Sequence, residues 1–390
     1  MSINNPIEYI SWLILPFCVA AIAYYWYTIY AAIQFFSLPA APIDTNFHPP
    51  ITILKPLCGV EPDSYDNFTS FCQQDYPQYQ VIFAVREVTD PIVAIVEKII
   101  GDFPEIDISL AIDSRVIGAN LKVSNLANAV VQAKHEILLI ADSDIRVRSD
   151  YLRRVVQPLA EEKVAVVTCL YKSRPKGKFA VFEALGISTD FHPSVLTARK
   201  LEGMNFAFGS TILIRKTVLN SLGGFAAIAD YLADDFKLGN LPTQLGYKVF
   251  LSDYIVEHFL TTENILNFFR HQIRWYRCIR VERFWSYLGL IFTQGTVTSL
   301  FFLIATLGSL LGWTVLAIVW STRLLLAWIV AVKCIKDSVA QKFLWLVPLR
   351  DIASFIIWFF GLIGNTVEWR GKQYKLSDDG KLVPVSGIAE

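Results

Sequence analysis

Apolar residues run almost without a break at the two ends of this chain and come in short blocks between them. Ser11–Phe36 carries no charged side chain and is long enough, as a helix, to cross the roughly 30 Å hydrocarbon layer of a bilayer. A cleaved signal peptide would have a basic leading segment and a shorter apolar stretch. This run has neither, so a retained anchor is expected. Leu288–Leu311 and Trp313–Ile335 are expected to form two further spans joined by a tight turn at Gly312. Phe343–Gly364 is equally apolar but is interrupted by Pro348, Arg350 and Asp351. Burying an Arg–Asp pair in lipid is costly, and it marks either a functional segment or a re-entrant one.

The middle of the chain reads differently. Pro39–Pro50 is a linker with prolines at 39, 42, 49 and 50. After it, β-rich blocks at Ile51–Lys55, Gln80–Val85, Ile106–Ile112 and Glu136–Ala141 alternate with helical periodicity at Ser64–Gln74, Asp90–Phe103 and Leu121–Ala133. This alternation predicts an α/β layer with a mostly parallel sheet. Ligands of such sheets bind beyond the carboxyl ends of the strands. The expected organisation is an N-terminal transmembrane anchor (1–36), an α/β domain ending in an amphipathic interfacial helix (37–287), a C-terminal membrane region (288–365) with two spans plus a third span or re-entrant segment, and a tail (366–390).

Charge sharpens this division. Over 390 residues 18% are charged and the net charge is zero, below the roughly 25% of an ordinary soluble domain. The deficit lies in the ends: Glu8 is the one charged residue in 1–36, and 288–365 hold seven. A hydrophobic content of 54% excludes a disordered chain, and the lack of basic excess argues against nucleic acid as a partner. The six cysteines form no C-x-x-C and no disulfide scaffold. Cytoplasmic loops attract lysine and arginine. Lys333, Lys336 and Lys342 therefore face inward and place 37–287 on the cytosolic side. The tail, with Arg370, Lys372, Lys375 and Lys381, also prefers that side; a full crossing by 343–364 would put it outside, so that segment is expected either to cross fully or to dip in and return.

Three motifs carry chemistry. Asp142-Ser143-Asp144 follows the EILLIA block. Two carboxylates two residues apart at a strand end can share Mg2+ or Mn2+, which in turn bridges a diphosphate; the alternative is a solvated turn. Gly223-Gly224-Phe225 precedes Ala233-Asp234-Asp235-Phe236, where the acids could equally cap a helix. Arg270-His271-Gln272-Ile273-Arg274-Trp275 continues to Arg277, Arg280 and Arg283. That spacing of three and four lines one helix face. Such a face either lies on anionic lipid or holds a departing diphosphate while Trp275 lines an acceptor channel.

These motifs, in this order, resemble the inverting membrane-bound glycosyltransferases of family 2 type, which have a GT-A fold. The likeness is closer to the ceramide glucosyltransferase family (family 21), through Leu54-Lys55-Pro56-Leu57-Cys58-Gly59-Val60, Asp75-Tyr76-Pro77, Asp90-Pro91, Asn120–Leu126, Asp142-Ser143, His192-Pro193 and Ile214-Arg215-Lys216. Bacterial hopanoid-associated glycosyltransferases share much of the pattern. The resemblance implies an α/β GT-A-type domain inserted between transmembrane helices. It implies transfer of a sugar, with glucose expected, from a UDP-sugar to the primary hydroxyl of a lipid such as ceramide, inverting to a β-glycoside. Asp235 would be the general base, with Asp234 beside it. Glu87 and Asp90 would lie near the nucleotide. Lys122 and Asn125 would contact the donor diphosphate or hold the metal loop, unless they are plain helix surface. Asp142 and Asp144 would bind the divalent cation, Arg274 the diphosphate, and Trp275 and His192 the acceptor, His192 being alternatively a packed core histidine. The first position of the arginine–tryptophan motif stays open between Arg270 and His271. A hopanoid or glycerolipid acceptor, a processive polysaccharide synthase, and a non-enzymatic transporter or scaffold are the competing readings. The expected setting is a bacterial inner membrane, or the Golgi in a eukaryote, with the catalytic domain cytosolic.

Overall fold

The computed structural model describes residues 6–39 and 43–385, so Ala40–Pro42 of the expected linker lie outside the described residues. The chain forms two compact units. One takes 39–174, 203–261 and the segment from 372 onward; the other takes the N-terminal segment to 38, 175–202 and 262–371. These units are not the linear segments the sequence suggests. The stretches 175–202 and 262–287 pack with the membrane helices, and the tail packs with the sheet.

The first unit is built on an eight-stranded sheet. Its strands are β1 (Ile51–Pro56), β2 (Tyr79–Val85), β3 (Asp107–Ile112), β4 (Ile137–Ile140), β5 (Ile145–Arg146), β6 (Val164–Lys176), β7 (Ile212–Arg215) and β8 (Lys248–Thr261), in the order β3-β2-β1-β4-β7-β6-β8-β5. β1 runs parallel to β2 and β4, and β2 to β3. β7 is antiparallel to β4 and β6, and β5 to β8. Every residue of β1, β2 and β4 is buried, which is why these strands read as unbroken apolar runs rather than alternating ones. The Leu121–Ala129 helix covers one face with Val123, Leu126 and Ala129. It starts where it does because the Asn120 side chain accepts a hydrogen bond from the Val123 N–H at 3.1 Å. The parallel register carries the ends of β1, β2 and β4 to one edge, and the chemistry collects there. The tail contributes a hairpin (Lys372–Leu376 with Leu382–Pro384). The hairpin is tied back by Leu382 N–H to Asp230 O (2.7 Å) and Leu232 N–H to Gly380 O (3.3 Å).

In the second unit, Tyr9–Phe36, Leu310–Cys334 and Ser338–Leu362 are long and apolar enough to cross a membrane. Around the span expected at Leu288–Leu311 the chain forms two helices, Phe284–Thr293 and Gly295–Ala305, bent by 53° at Gln294. The expected turn at Gly312 also moves. The chain reverses at Leu307 and Gly308, both at positive φ, and Ser309 caps the next helix by accepting from the Gly312 N–H at 3.2 Å. Gly312 lies inside that helix, where a Cβ would sit 2.2 Å from the Thr306 hydroxyl. Pro348, expected to interrupt the last apolar segment, sits in the first turn of Val347–Leu362, where its missing N–H is not needed.

Arg350 and Asp351 do not pair with each other. Neighbours on a helix point about 100° apart, and the two side chains serve different partners. Arg323 donates to Asp351 (2.7 Å), Asp190 (2.6 Å) and the Thr189 carbonyl (3.0 Å), and the Thr296 hydroxyl donates to Asp351. Arg350 donates to Gln272 Oε1 at 2.8 Å and to Ser354. Arg323 and Asp351 are only 3% and 5% exposed, so removing the cation strands two carboxylates in an apolar unit. We expect Arg323→Leu to cost about 3–5 kcal/mol, read as a lowered melting temperature in lipid nanodiscs. Adding Asp351→Leu should recover much of that loss.

The arginine row lies on the Ile265–Glu282 helix and just beyond it. Arg277 donates to the carbonyls of Thr366 and Ile363, and Arg280 to those of Leu362 and Gly364. Together they bind the Leu362 carbonyl in the last turn of the Val347–Leu362 helix and three carbonyls of the segment just beyond it. Arg270 pairs with Glu368 and Arg283 with Glu202.

Candidate active site

β4 ends in two buried positions and then delivers Asp142 and Asp144 into half-open space, with side chains 36% and 31% exposed. The Asp142 N–H donates to Gly209 O at 3.0 Å. Its carboxylate meets Lys122 Nζ at 2.8 Å, and the same ammonium lies 2.9 Å from Asp234. Lys122 reaches both because the Asn120 cap fixes the start of its helix, and Asn120 Nδ2 also donates to the Tyr231 carbonyl at 2.8 Å. One ammonium therefore joins the acid after β4 to the acid pair that opens the Asp234–Gln244 helix.

Asp235 turns the other way. Its Oδ2 accepts from the Gly209 N–H at 3.1 Å and its Oδ1 from the Phe236 N–H at 2.8 Å. Burial and the neighbouring Asp234 charge push its pKa up to about 6, against the pull of Lys122. Burial likewise raises Asp142, with Asp144 adding repulsion and Lys122 opposing. For Asp144, burial is outweighed by His258, whose Nε2 lies 3.2 Å away, and the carboxyl stays below its usual range. Burial works against the Lys122 cation too, but Asp142, Asp234 and Asp235 outweigh it and its pKa rises. Beneath the pair, fully buried Lys55 donates to the Asp142 carbonyl and lies 4.0 Å from the Phe71 ring. Burial lowers its pKa to about 7, with Asp144 and Asp142 resisting.

Gly209 touches everything here. A Cβ on it would lie 2.3 Å from Asp142 Oδ2 and 3.4 Å from Lys122 Nζ. The glycine lets the Asp142 carboxylate lie directly against the backbone, where a Cβ would collide with it, and its N–H and C=O link Asp235 to Asp142.

The remaining sequence candidates divide between the units. Asp90 accepts from the Gly59 N–H (2.9 Å) and the Ile92 N–H (3.0 Å), tying the loop after β1 to the helix after β2. Glu87 stands exposed on the same edge beside Arg86. The Asn125 amide donates to the carbonyls of Leu57 and Ala84, clamping the ends of β1 and β2. In the membrane unit, fully buried His192 opens a helix directly after a widened turn at 187–191. The Phe191 ring lies 6.4 Å from that of Trp275, and the His271 ring 4.7 Å. Arg274 shares the helix with Trp275. Of the two candidates for the first motif position, Arg270 is paired with Glu368, and His271 Nδ1 lies 2.6 Å from Glu183.

Three site members went unread in the sequence. His258 reaches Asp144 only because the β5–β8 ladder places it opposite Ile145, and no local spacing signals that register. Lys55 hides in an apolar strand, and Gly209 is one glycine among twenty.

The fold has a solved counterpart. A mannosyltransferase from Pyrobaculum calidifontis, in complex with GDP-Man and Mn2+, superposes with a TM-score of 0.58 at 17% identity, covering 91% of this chain and 97% of that one. A parallel half-sheet with two acids at its central strand end gives the chain a GT-A-type fold. The chain belongs to glycosyl transferase family 21, whose family profile matches residues 13–382. Ceramide glucosyltransferase 1 of Caenorhabditis elegans is 25% identical over 346 residues, covering 86% of this chain and 73% of that protein. The ceramide glucosyltransferase of Komagataella phaffii is 35% identical over 113 residues, covering 28% and 22%. The protein is thus a membrane glycosyltransferase acting on a lipid.

Proposed function

We propose that the chain transfers glucose from UDP-glucose to the primary hydroxyl of ceramide, with inversion to a β-glucoside, on the cytosolic face of its membrane. The names of its relatives support glucose and ceramide. The observation that carries the chemistry is Asp235, a carboxyl poised near neutral pH at the head of the acid cluster. General bases work best with a pKa close to the operating pH. Asp235 takes the proton of the lipid hydroxyl as that oxygen attacks the anomeric carbon. A single displacement inverts the centre and requires no covalent sugar on the enzyme.

A divalent cation fits the pair at the end of β4. Among the described residues no group of three or more His, Cys, Asp or Glu forms a complete cage. Mg2+ and Mn2+ are commonly held by one or two carboxylates with phosphate oxygens completing the shell. Asp142 and Asp144, part-exposed at the strand end and two residues apart, with His258 holding the Asp144 carboxyl below its usual range, suit that role. When bound, the ion offsets the charge growing on the departing diphosphate. Asp142 and Asp144 would hold it. Lys122 bridges Asp142 and Asp234 and adds its own positive charge. Asp90 and Glu87 line the nucleotide end, Arg274 meets the diphosphate, and Trp275 and His192 line the acceptor.

The test is transfer of radiolabelled glucose from UDP-glucose to ceramide in membranes bearing the chain. Labelling of a different lipid, or none, would overturn the reading. The pH profile tests the base. Asp235 is active ionised and its pKa is raised, so kcat should fall about tenfold per pH unit below about 6. Asp234→Asn removes the neighbouring charge and should move that limb to lower pH; a limb that stays put removes Asp235 from the role.

A further inference from the structure

We infer that Glu183 is a positioning residue for Arg274 and Trp275, a role that rests on the donor reading above. Glu183 lies on the Lys178–Gly186 helix and is fully buried. A carboxylate so placed is stable only with several donors around it. Its donors include the Thr262 hydroxyl at 2.8 Å, Gln272 Nε2 at 3.2 Å and His271 Nδ1 at 2.6 Å. Thr262 stands just before the Ile265–Glu282 helix, and the other two stand in its second turn. Asn264 caps the helix start by accepting from the Asn267 N–H, and the one carboxylate ties the segment before that cap to the second turn, which sets how the helix is rotated about its axis.

The rotation matters because positions three and four apart share a helix face. Arg274 and Trp275 follow His271 at those distances, and the Trp275 ring packs on the His271 ring at 4.7 Å. A second contact locks the other side of the same turn. Arg350 Nη2 donates to Gln272 Oε1 at 2.8 Å. Arg350 gets there by lying across Gly186, where a Cβ would be 2.3 Å from its guanidinium. Glu183 and Gly186, one turn apart, thus hold His271 and Gln272 from the same helix. The arginine that is to meet the diphosphate is aimed by a carboxylate that need never touch the nucleotide.

A double-mutant cycle on UDP binding tests this, using the full chain in phosphatidylcholine nanodiscs. Glu183→Gln keeps the shape but turns one acceptor oxygen into a donor facing other donors, and should weaken UDP about tenfold. Arg274→Ala should do at least as much. If Glu183 acts through Arg274, the double variant binds within about threefold of Arg274→Ala, because coupled residues are not additive. Losses that multiply, or a Glu183→Gln variant that binds UDP like the parent, overturn the inference. A parent chain that binds no UDP overturns the donor reading instead. Should Glu183→Gln fail to fold, Gln272→Met, which removes one donor from the carboxylate and the acceptor of Arg350, enters the cycle with the same expected pattern.

Discussion

Asp235→Asn should leave a protein that folds and binds UDP yet transfers sugar about 10²–10⁴-fold more slowly. The amide oxygen can still accept the Gly209 N–H that now meets Asp235 Oδ2, while its NH2 replaces the oxygen that accepts from the Phe236 N–H, a local loss of one hydrogen bond. What it cannot do is take a proton from the attacking hydroxyl. Burial and Asp234 already hold the ionised Asp235 at a disadvantage, so a neutral side chain should not lower the melting temperature. Activity lost without stability lost separates a chemical role from an architectural one. Single-turnover transfer, measured beside UDP affinity and thermal melting, gives all three quantities on one sample. Retention of more than a tenth of the parent rate would remove Asp235 from the chemistry.

The second large effect concerns the cation. Chelation with EDTA should abolish transfer, and Mn2+ or Mg2+ should restore it. Electron paramagnetic resonance of Mn2+ with UDP present should show binding that Asp142→Asn and Asp144→Asn each weaken severely. His258→Phe should weaken it about 10–100-fold, the usual cost of losing a residue that orients a ligand, because His258 holds Asp144 from behind at 3.2 Å. Transfer that survives exhaustive chelation would leave Lys122, already on Asp142 and Asp234, to balance the diphosphate without a metal.

The readable parts of this protein are those whose physics is local. A strand buried on both faces has to be apolar along its length, so Ile137–Ile140 and the two acids after it announce themselves. The long helices do the same through their composition. The antiparallel half of the sheet is less visible, because β6, β7 and β8 are joined by long excursions and their pairing depends on contacts far apart in sequence. His258 is a clear instance: its meaning comes from the residue opposite it. The arginine row shows another limit. Its periodicity marks a face correctly, but not what the face touches, and Arg277 and Arg280 turn out to bind carbonyls at and just beyond a helix end. The Arg350–Asp351 step misleads for a similar reason, since adjacency along a helix separates side chains rather than joining them.

The tail hairpin, bonded to Asp230 and Leu232, sets an order on the making of this protein. The sheet unit leaves its own chain at residue 262 and regains it at 372. A ribosome makes the three long apolar helices of the described residues before it makes the hairpin that packs with the sheet unit. The enzyme is thereby completed only after its anchor has been synthesised, and a chain stalled among its last helices holds the acid cluster without the hairpin bonded to the Asp230–Leu232 segment beside it.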